Sequence, residues 1–126
     1  MEVSTELARR LMEIGLLAAN RAGLQKQAHP IFAGLRAARP QSELPLVGHG
    51  VAFLNTDNPR EAGASFEAAL QINPENDIAK CYLGMAYQAI GWSAKSRKIL
   101  ADVIENGDDP EAASMARNFM NLGIGH

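Results

Sequence analysis

The feature that most constrains this chain is a recurrence at an interval of 34 residues. The stretch from Phe32 to Pro40 reads F-A-G-L-R-A-A-R-P, and the stretch from Phe66 to Pro74 reads F-E-A-A-L-Q-I-N-P. Each is typical of a helix end, because a proline disfavours helical geometry in the residue before it. A fixed period of this length predicts stacked helix pairs, in which each pair buries its apolar face against its neighbours.

Three sets of positions follow the same interval. One is small, one is large and apolar, and one suits tight turns, since glycine and aspartate tolerate the backbone angles that turns need. In that order the sets are Ala28, Ala62 and Ser96, then Phe32, Phe66 and Leu100, and then Gly23, Asp57 and Gly91. The register predicts three units at about residues 9–42, 43–76 and 77–110.

The third unit carries a motif of a known repeat. Leu83-Gly84 is followed by Tyr87, and glycine and phenylalanine stand 34 positions earlier at Gly50 and Phe53. Together with the small, aromatic and proline positions, this pattern resembles the tetratricopeptide repeat over residues 9–110. The first unit departs from it at Gly15-Leu16, which inverts the expected order of leucine and glycine.

The resemblance implies an all-α fold in a single domain spanning residues 1–126. Three helix pairs are expected to stack as a right-handed superhelix, with a C-terminal helix over 110–121 as the cap. Apolar periodicity and helix-breaking residues predict the seven helices. They are expected at about Thr5–Arg21, Gln25–Ala38, from Pro45, Pro59–Ile72, Asp77–Ala89, Ser93–Glu105 and Pro110–Asn121.

Capping residues are expected at three of these helix starts. Asn58, Asp77 and Asp109 each precede an acidic or helix-forming turn, and Asn58 is predicted to form a capping box with Glu61. Pro30 lies inside the second helix, which predicts a kink or a regular helix that begins only near His29.

Composition excludes several classes of protein. The formal charge is −2 with 12 basic residues, so nucleic acid is not an expected partner. The N-terminus lacks the pattern of a signal peptide, and no apolar run approaches the roughly 18 residues of a membrane span. The single Cys81 excludes an intramolecular disulfide and is compatible with a reducing cytosol, so a cytoplasmic location is expected.

No catalytic motif is present, and the chain is predicted not to be an enzyme. The sequence has no nucleophile elbow, phosphate-binding loop or paired carboxylates. The histidines at positions 29, 49 and 126 have no partner at metal-ligand spacing, so no metal or cofactor is expected. Cys81 is interpreted as an inert packing residue.

The resemblance does imply a binding surface. In this architecture the first helix of each unit lines the concave side at its fifth, ninth and twelfth positions. Those positions hold Glu13, Leu17 and Asn20, then Val47, Val51 and Leu54, then Cys81, Met85 and Gln88. Because most of them are apolar, they predict a groove for the amphipathic helix of a protein partner. The alternative is that the terminal segments of the chain cover this surface.

The predicted groove residues are Leu17, Val47, Val51, Leu54, Cys81, Met85 and Gln88. Val47, Val51, Leu54 and Met85 are expected to be partly exposed. This exposure predicts self-association as a homodimer, or association with a co-chaperone. Tetratricopeptide adaptors that capture the C-terminal carboxylate of heat-shock chaperones need Lys, Asn and Arg on this face. Their positions are occupied here by Glu13, Leu17, Gly48, Ile78 and Tyr82, so that type of site is excluded.

Two functional hypotheses follow. In layout, and in the D-P-E-A stretch at residues 109–112, the chain resembles bacterial type III secretion chaperones of the needle-subunit type, which hold an aggregation-prone secreted subunit in the cytosol. The alternative is a general tetratricopeptide scaffold that assembles a larger complex. A scaffold fragment is expected to expose an apolar end, whereas the polar residues Arg117, Asn118 and Asn121 favour a capped chaperone.

Overall fold

The computed structural model describes residues 5–21 and 23–121, and over these ranges it contains seven α-helices and no strand. The all-α prediction is therefore confirmed. The helices are α1 Thr5–Ala19, α2 Gln25–Ala38, α3 Leu44–Asn55, α4 Pro59–Ile72, α5 Asp77–Ile90, α6 Ser93–Asn106 and α7 Pro110–Phe119. Pro30 lies inside α2, whose regular part begins before His29.

Each helix packs against the next one along the chain. The first helices of the pairs also contact one another in order, α1 with α3, α3 with α5 and α5 with α7. Helix α7 therefore occupies the place of the first helix of a fourth pair. The boundaries of the three units and the assignment of the whole chain to one domain stay predictions.

The turns within the pairs adopt the backbone conformation that the register predicts. Gly23, Asp57 and Gly91 have φ angles of 85°, 61° and 100°. A left-handed conformation is easy for glycine and is tolerated by aspartate better than by most residues. Three turns of one type, one repeat apart, confirm that the helix pairs are equivalent.

Close contacts between helices explain the small and large positions of the repeat. Phe66 and Leu100 are completely buried, and a Cβ atom built on Gly50 or Gly84 would lie only 2.4 or 2.7 Å from them. The small positions 28, 62 and 96 are also completely buried. At the third of them, the Ser96 hydroxyl donates a 2.6 Å hydrogen bond to the carbonyl oxygen of Gly84, so the polar group is satisfied.

One predicted helix cap is wrong, and a second, Asn58, occupies the predicted position without the capping hydrogen bond. Asn76 caps α5, because its side chain accepts a hydrogen bond from the Ala79 amide. Asp77 instead accepts hydrogen bonds from the backbone amides of Asp108 and Asp109, at 2.9 and 3.1 Å, and so holds the loop before α7. Because Asp77 is buried at this loop, its carboxylate stabilises the tertiary structure and not the first turn of α5.

Asn58 makes no capping hydrogen bond to α4. Its side-chain amide donates instead to the carbonyl oxygen and the hydroxyl of Thr56, so it closes the turn from α3. Asp109 does cap α7 as predicted, since its carboxylate accepts from the amides of Glu111 and Ala112.

Candidate functional site

Four of the predicted groove residues remain accessible. Leu17 on α1 is 70% exposed, and Leu54, Met85 and Gln88 on α3 and α5 are partly exposed. We call these four residues the open groove. The ends of α1 and α3 are joined beside it, because the side-chain amide of Asn55 donates a 3.0 Å hydrogen bond to Asn20.

Val47 and Val51 do not have the exposure that the register predicts. They are 8% and 3% exposed, so they lie beneath the surface and cannot contact a partner without a rearrangement. The reason is the close packing of the first helices, since α3 contacts both α1 and α5. The expectation that both valines are partly exposed is therefore wrong, whereas Leu54 and Met85 agree with it.

Cys81 is completely buried in a cluster that includes Ala112 and Ala116 of α7. Its thiol donates a 3.1 Å hydrogen bond to the Ala112 carbonyl oxygen. Burial raises the pKa of this thiol to about 11, and the nearby carboxylates of Asp77 and Asp109 add to the effect. The thiol stays protonated at neutral pH, which agrees with an inert packing role. Its assignment to an accessible groove is corrected, because α7 covers it.

Gln88, one of the open-groove residues, carries an unsatisfied polar atom. Its amide oxygen is buried and has no hydrogen-bond partner among the described residues. A buried acceptor of this kind costs free energy unless a donor reaches it. Because this oxygen is itself buried, a bound segment could not reach it without a rearrangement.

The five positions of the carboxylate-binding adaptors offer no cation in this structure. Glu13 is exposed and its carboxylate lies 2.7 Å from Arg9 on the same helix. Gly48 is buried, and the ring of Tyr82 stacks on Phe66 with centroids 5.6 Å apart. A carboxylate placed here would meet apolar groups and a like charge, which is unfavourable.

Sequence reasoning missed a cluster of aromatic and basic side chains between α2 and α3. The rings of His29 and His49 lie 5.2 Å apart, and His49 stacks on Phe53 at 4.5 Å. The guanidinium of Arg36 donates to Nδ1 of His49 at 3.3 Å. Burial lowers the pKa of His49 to about 4, and the positive charges of Arg36 and His29 add to the shift. The spacing of 20 residues between the histidines does not indicate that they are in contact, because that contact depends on how α2 and α3 pack.

Other types of site find no support in the described part of the chain. No group of three or more His, Cys, Asp or Glu side chains there is placed to hold a metal ion. No helix there combines the length and the apolar character that crossing a membrane requires.

Comparison with known proteins places this geometry in a family. Residues 53–118 match the family model described as tetratricopeptide repeat. The Sgt2 tetratricopeptide domain from Aspergillus fumigatus has a similar fold, with a TM-score of 0.77 and 17% identity over 96% of this chain and 81% of that one. The first tetratricopeptide domain of Spaghetti (RPAP3) was solved with the HSP90 peptide SRMEEVD. Its comparison gives a TM-score of 0.75 and 19% identity, over 97% of this chain and 97% of that one.

No curated protein matches the sequence. The resemblance to type III secretion chaperones gains no support from the family model or from these two structures. More than half of the chain matches the repeat model, and the whole described structure has the corresponding helix pairs. The chain belongs to the tetratricopeptide repeat family, whose fold is a non-catalytic protein-interaction module.

Proposed function

We propose that this protein is an adaptor that binds an amphipathic helix of a partner protein along the open groove. The observation that carries the proposal is the accessible side chain of Leu17, at 70% exposure, together with the partly exposed Met85, two repeat intervals further on, and the partly exposed Leu54. Exposed apolar side chains on successive helices of a repeat mark an interaction surface.

The chemistry of the open groove favours a helical segment with an apolar face. Leu17 and Leu54 offer apolar contacts, and the flexible thioether of Met85 can repack around different side chains. Gln88 adds a partly exposed polar side chain to the same surface. The exposed carboxylate of Glu13 borders the Leu17 end, so a basic residue is expected at the matching end of the partner helix.

The same chemistry disfavours the type of ligand held by one structural neighbour. The Spaghetti domain was solved with the peptide SRMEEVD, which carries two glutamates, an aspartate and a C-terminal carboxylate. Here Glu13 and Leu17 stand at two positions where a cation or amide would be needed. We therefore expect no measurable affinity for that peptide.

An exposed apolar face on α1 supports the adaptor over a secretion chaperone. Leu7 and Ile14 are 48% and 52% exposed. By repeat register, Ile14 is equivalent to Gly48 and Tyr82, which contact Phe32 and Phe66 of the preceding unit. An apolar stacking face with a residue as exposed as Ile14 is the feature expected of a scaffold, and we place the expected self-association at this face.

The secretion chaperone is kept as a second candidate because the helix at the opposite end of the repeat, α7, has a polar outer surface. The outward residues Ser114, Arg117 and Asn118 of α7 are exposed and polar, as expected of a capped chain. A cytoplasmic location is proposed for either candidate. Co-expression with the secreted subunits of a bacterial host would separate the two, since only a chaperone forms a stable one-to-one complex with one of them.

The open groove can be tested with displayed peptides. A library of helical peptides with apolar residues at i, i+3, i+4 and i+7 is selected against the purified protein, and the affinity of the binders is measured by fluorescence anisotropy. Leu17→Glu is expected to weaken those binders by about tenfold or more, because a carboxylate would be desolvated against an apolar helix face. The peptide SRMEEVD serves as the probe for carboxylate capture.

The matched control is Ile72→Glu, which adds the same charge at a side chain that is 41% exposed at the end of α4. It is expected to leave the binding of the selected peptides unchanged. Equal effects of Leu17→Glu and Ile72→Glu would move the binding surface away from the open groove, and tight binding of SRMEEVD would refute the chemistry assigned to it.

A further inference from the structure

A second cluster of exposed side chains lies at the turn between α5 and α6. The ring of Trp92 is flanked by two cations from different helices, with the guanidinium carbon of Arg60 at 5.6 Å and the ammonium nitrogen of Lys95 at 4.8 Å from the ring centroid. Lys95 also lies 5.2 Å from the ring of Tyr87. Trp92 is nevertheless 41% exposed, so part of this large aromatic side chain remains available for contact.

The cations of this cluster have no carboxylate partner in the described part of the chain. The ion pairs there involve Arg9, Arg10 and Lys80, although the sequence has more acidic than basic residues. Contact with an aromatic ring orients Arg60 and Lys95 but leaves most of their N–H donors unused. The fold thus brings Arg60 and Lys95 to one aromatic ring without an ion pair to either of them.

A surface depression of about 620 Å³ begins at the same cluster. Its lining includes Tyr87, Lys95, Lys98 and Ile99 and also the acidic residues Asp102 and Glu105, so cationic, apolar and acidic groups share it. A volume of this size accommodates several side chains of a bound segment. We call Arg60, Tyr87, Trp92, Lys95 and Lys98 the Trp92 patch.

We propose that the Trp92 patch docks an acidic, extended segment of a second protein partner. Glutamate or aspartate carboxylates would pair with Arg60, Lys95 and Lys98, and an apolar side chain between them would lie on the ring of Trp92. Charge complementarity carries the assignment, because Arg60, Lys95 and Lys98 supply the donors that carboxylates need and none of the three is in an ion pair within the described part of the chain.

A nucleic acid fits the surroundings of the patch less well. Asp102 and Glu105 line the same depression, so a longer polyanion would meet like charges there. Affinity for nucleic acid grows with the number of phosphates neutralised, and the net charge of −2 opposes such growth. A short acidic segment can avoid those carboxylates.

The Trp92 patch shares no residue with the open groove, so the proposal does not depend on the function proposed for that groove. With both surfaces occupied, the protein would bridge an amphipathic helix and an acidic segment.

Trp92 is the only tryptophan in the chain, so its fluorescence reports directly on the patch. The probe is a synthetic peptide of about twelve residues that repeats Glu-Glu-Leu, and the matched peptide repeats Gln-Gln-Leu. A saturable change in Trp92 emission is expected with the acidic peptide and not with the amide peptide. The affinity is expected to fall as salt concentration rises, because exposed charge pairs are screened.

The charge reversals Arg60→Glu and Lys95→Glu, made together, are expected to lower the affinity for the acidic peptide by about tenfold or more. The control pair Lys26→Glu and Arg97→Glu changes the net charge equally at exposed sites that do not contact Trp92. Circular dichroism confirms the fold of each variant, and Lys95→Gln replaces the double variant if that one does not fold.

Three results would overturn the proposal. They are no emission change with the acidic peptide, an equal loss of affinity in the control pair, and tighter binding of a uridine oligonucleotide of the same length. Leu17→Glu is expected to leave the peptide affinity unchanged, so a failure of the open groove and a failure of the Trp92 patch are distinguishable.

Discussion

The buried ring of Phe32 lies directly against the backbone of Gly48 in the next repeat unit. A Cβ atom built on Gly48 would be 2.1 Å from Cε1 of that ring, and one built on Gly15 would be 2.6 Å from Cζ. The ring thus fills the space between α1 and α3. Gly15 and Gly48 provide the bare backbone that receives the ring, whereas Leu16 stands at the position equivalent to Gly50 and Gly84.

The first prediction concerns this contact. Gly48→Ala is expected to lower the free energy of unfolding by about 1–3 kcal/mol, because the added methyl group overpacks a completely buried ring. Gly34→Ala on α2 meets no neighbouring atom and is expected to raise it by about 0.5–1 kcal/mol through helix propensity. Urea denaturation of both variants is the measurement. Equal stabilities would show that Phe32 does not depend on the missing side chain.

The turns of the fold could be predicted because they depend on local backbone chemistry. Gly23, Asp57 and Gly91 tolerate positive φ angles, and their common spacing identified them without knowledge of the packing. Asp109 was predictable for the same reason, since a cap contacts amides only two or three residues away.

The depth of the groove residues could not be predicted, because it depends on neighbouring helices. Leu17 and Val51 occupy equivalent positions, yet they are 70% and 3% exposed. Helix α3 packs between α1 and α5, whereas α1 has a first helix on one side only. The same applies to Cys81, which α7 covers, and to Asp77, whose partners lie 31 and 32 residues away.

The second prediction tests the repeat register at its small position. Ala62→Leu is expected to destabilise the protein by about 1–3 kcal/mol, since Ala62 is completely buried where neighbouring helices touch. Ala64→Leu adds the same volume on the exposed side of α4 and is expected to change stability little. The melting midpoint of each variant, monitored by circular dichroism, is the measurement. An unchanged midpoint for Ala62→Leu would contradict the register.

The third prediction separates the buried and the open parts of the predicted groove. Val51→Glu is expected to unfold the protein or to cost several kcal/mol, because an unpaired carboxylate would be buried between helices. Leu17→Glu is expected to retain the native helical content, since that side chain faces solvent. Circular dichroism with urea titration compares the two. If the Val51→Glu variant has native-like helical content and stability, Val51 lies on the accessible surface.

The fourth prediction concerns the loop that precedes α7. Asp77→Ala is expected to cost about 1–3 kcal/mol, because the amides of Asp108 and Asp109 lose their buried acceptor. Hydrogen exchange at those amides is expected to accelerate with the loss. Glu105→Ala removes an exposed carboxylate near the end of α6 and serves as the control. Protection that persists at both amides in Asp77→Ala would show that another acceptor holds the loop.

The fifth prediction follows from the cluster between α2 and α3. His49 has a pKa of about 4 in the folded protein, below its ordinary 6.5, because it is buried and lies beside Arg36. Below pH 6.5 the unfolded chain binds this proton more readily, so stability falls as the pH decreases towards 4. Between pH 7 and 5 the loss is expected to be about 1–2 kcal/mol in urea denaturation. His49→Phe removes the titrating group while keeping a ring against Phe53. If this variant loses as much stability over the same range as the native sequence, His49 is not the responsible group.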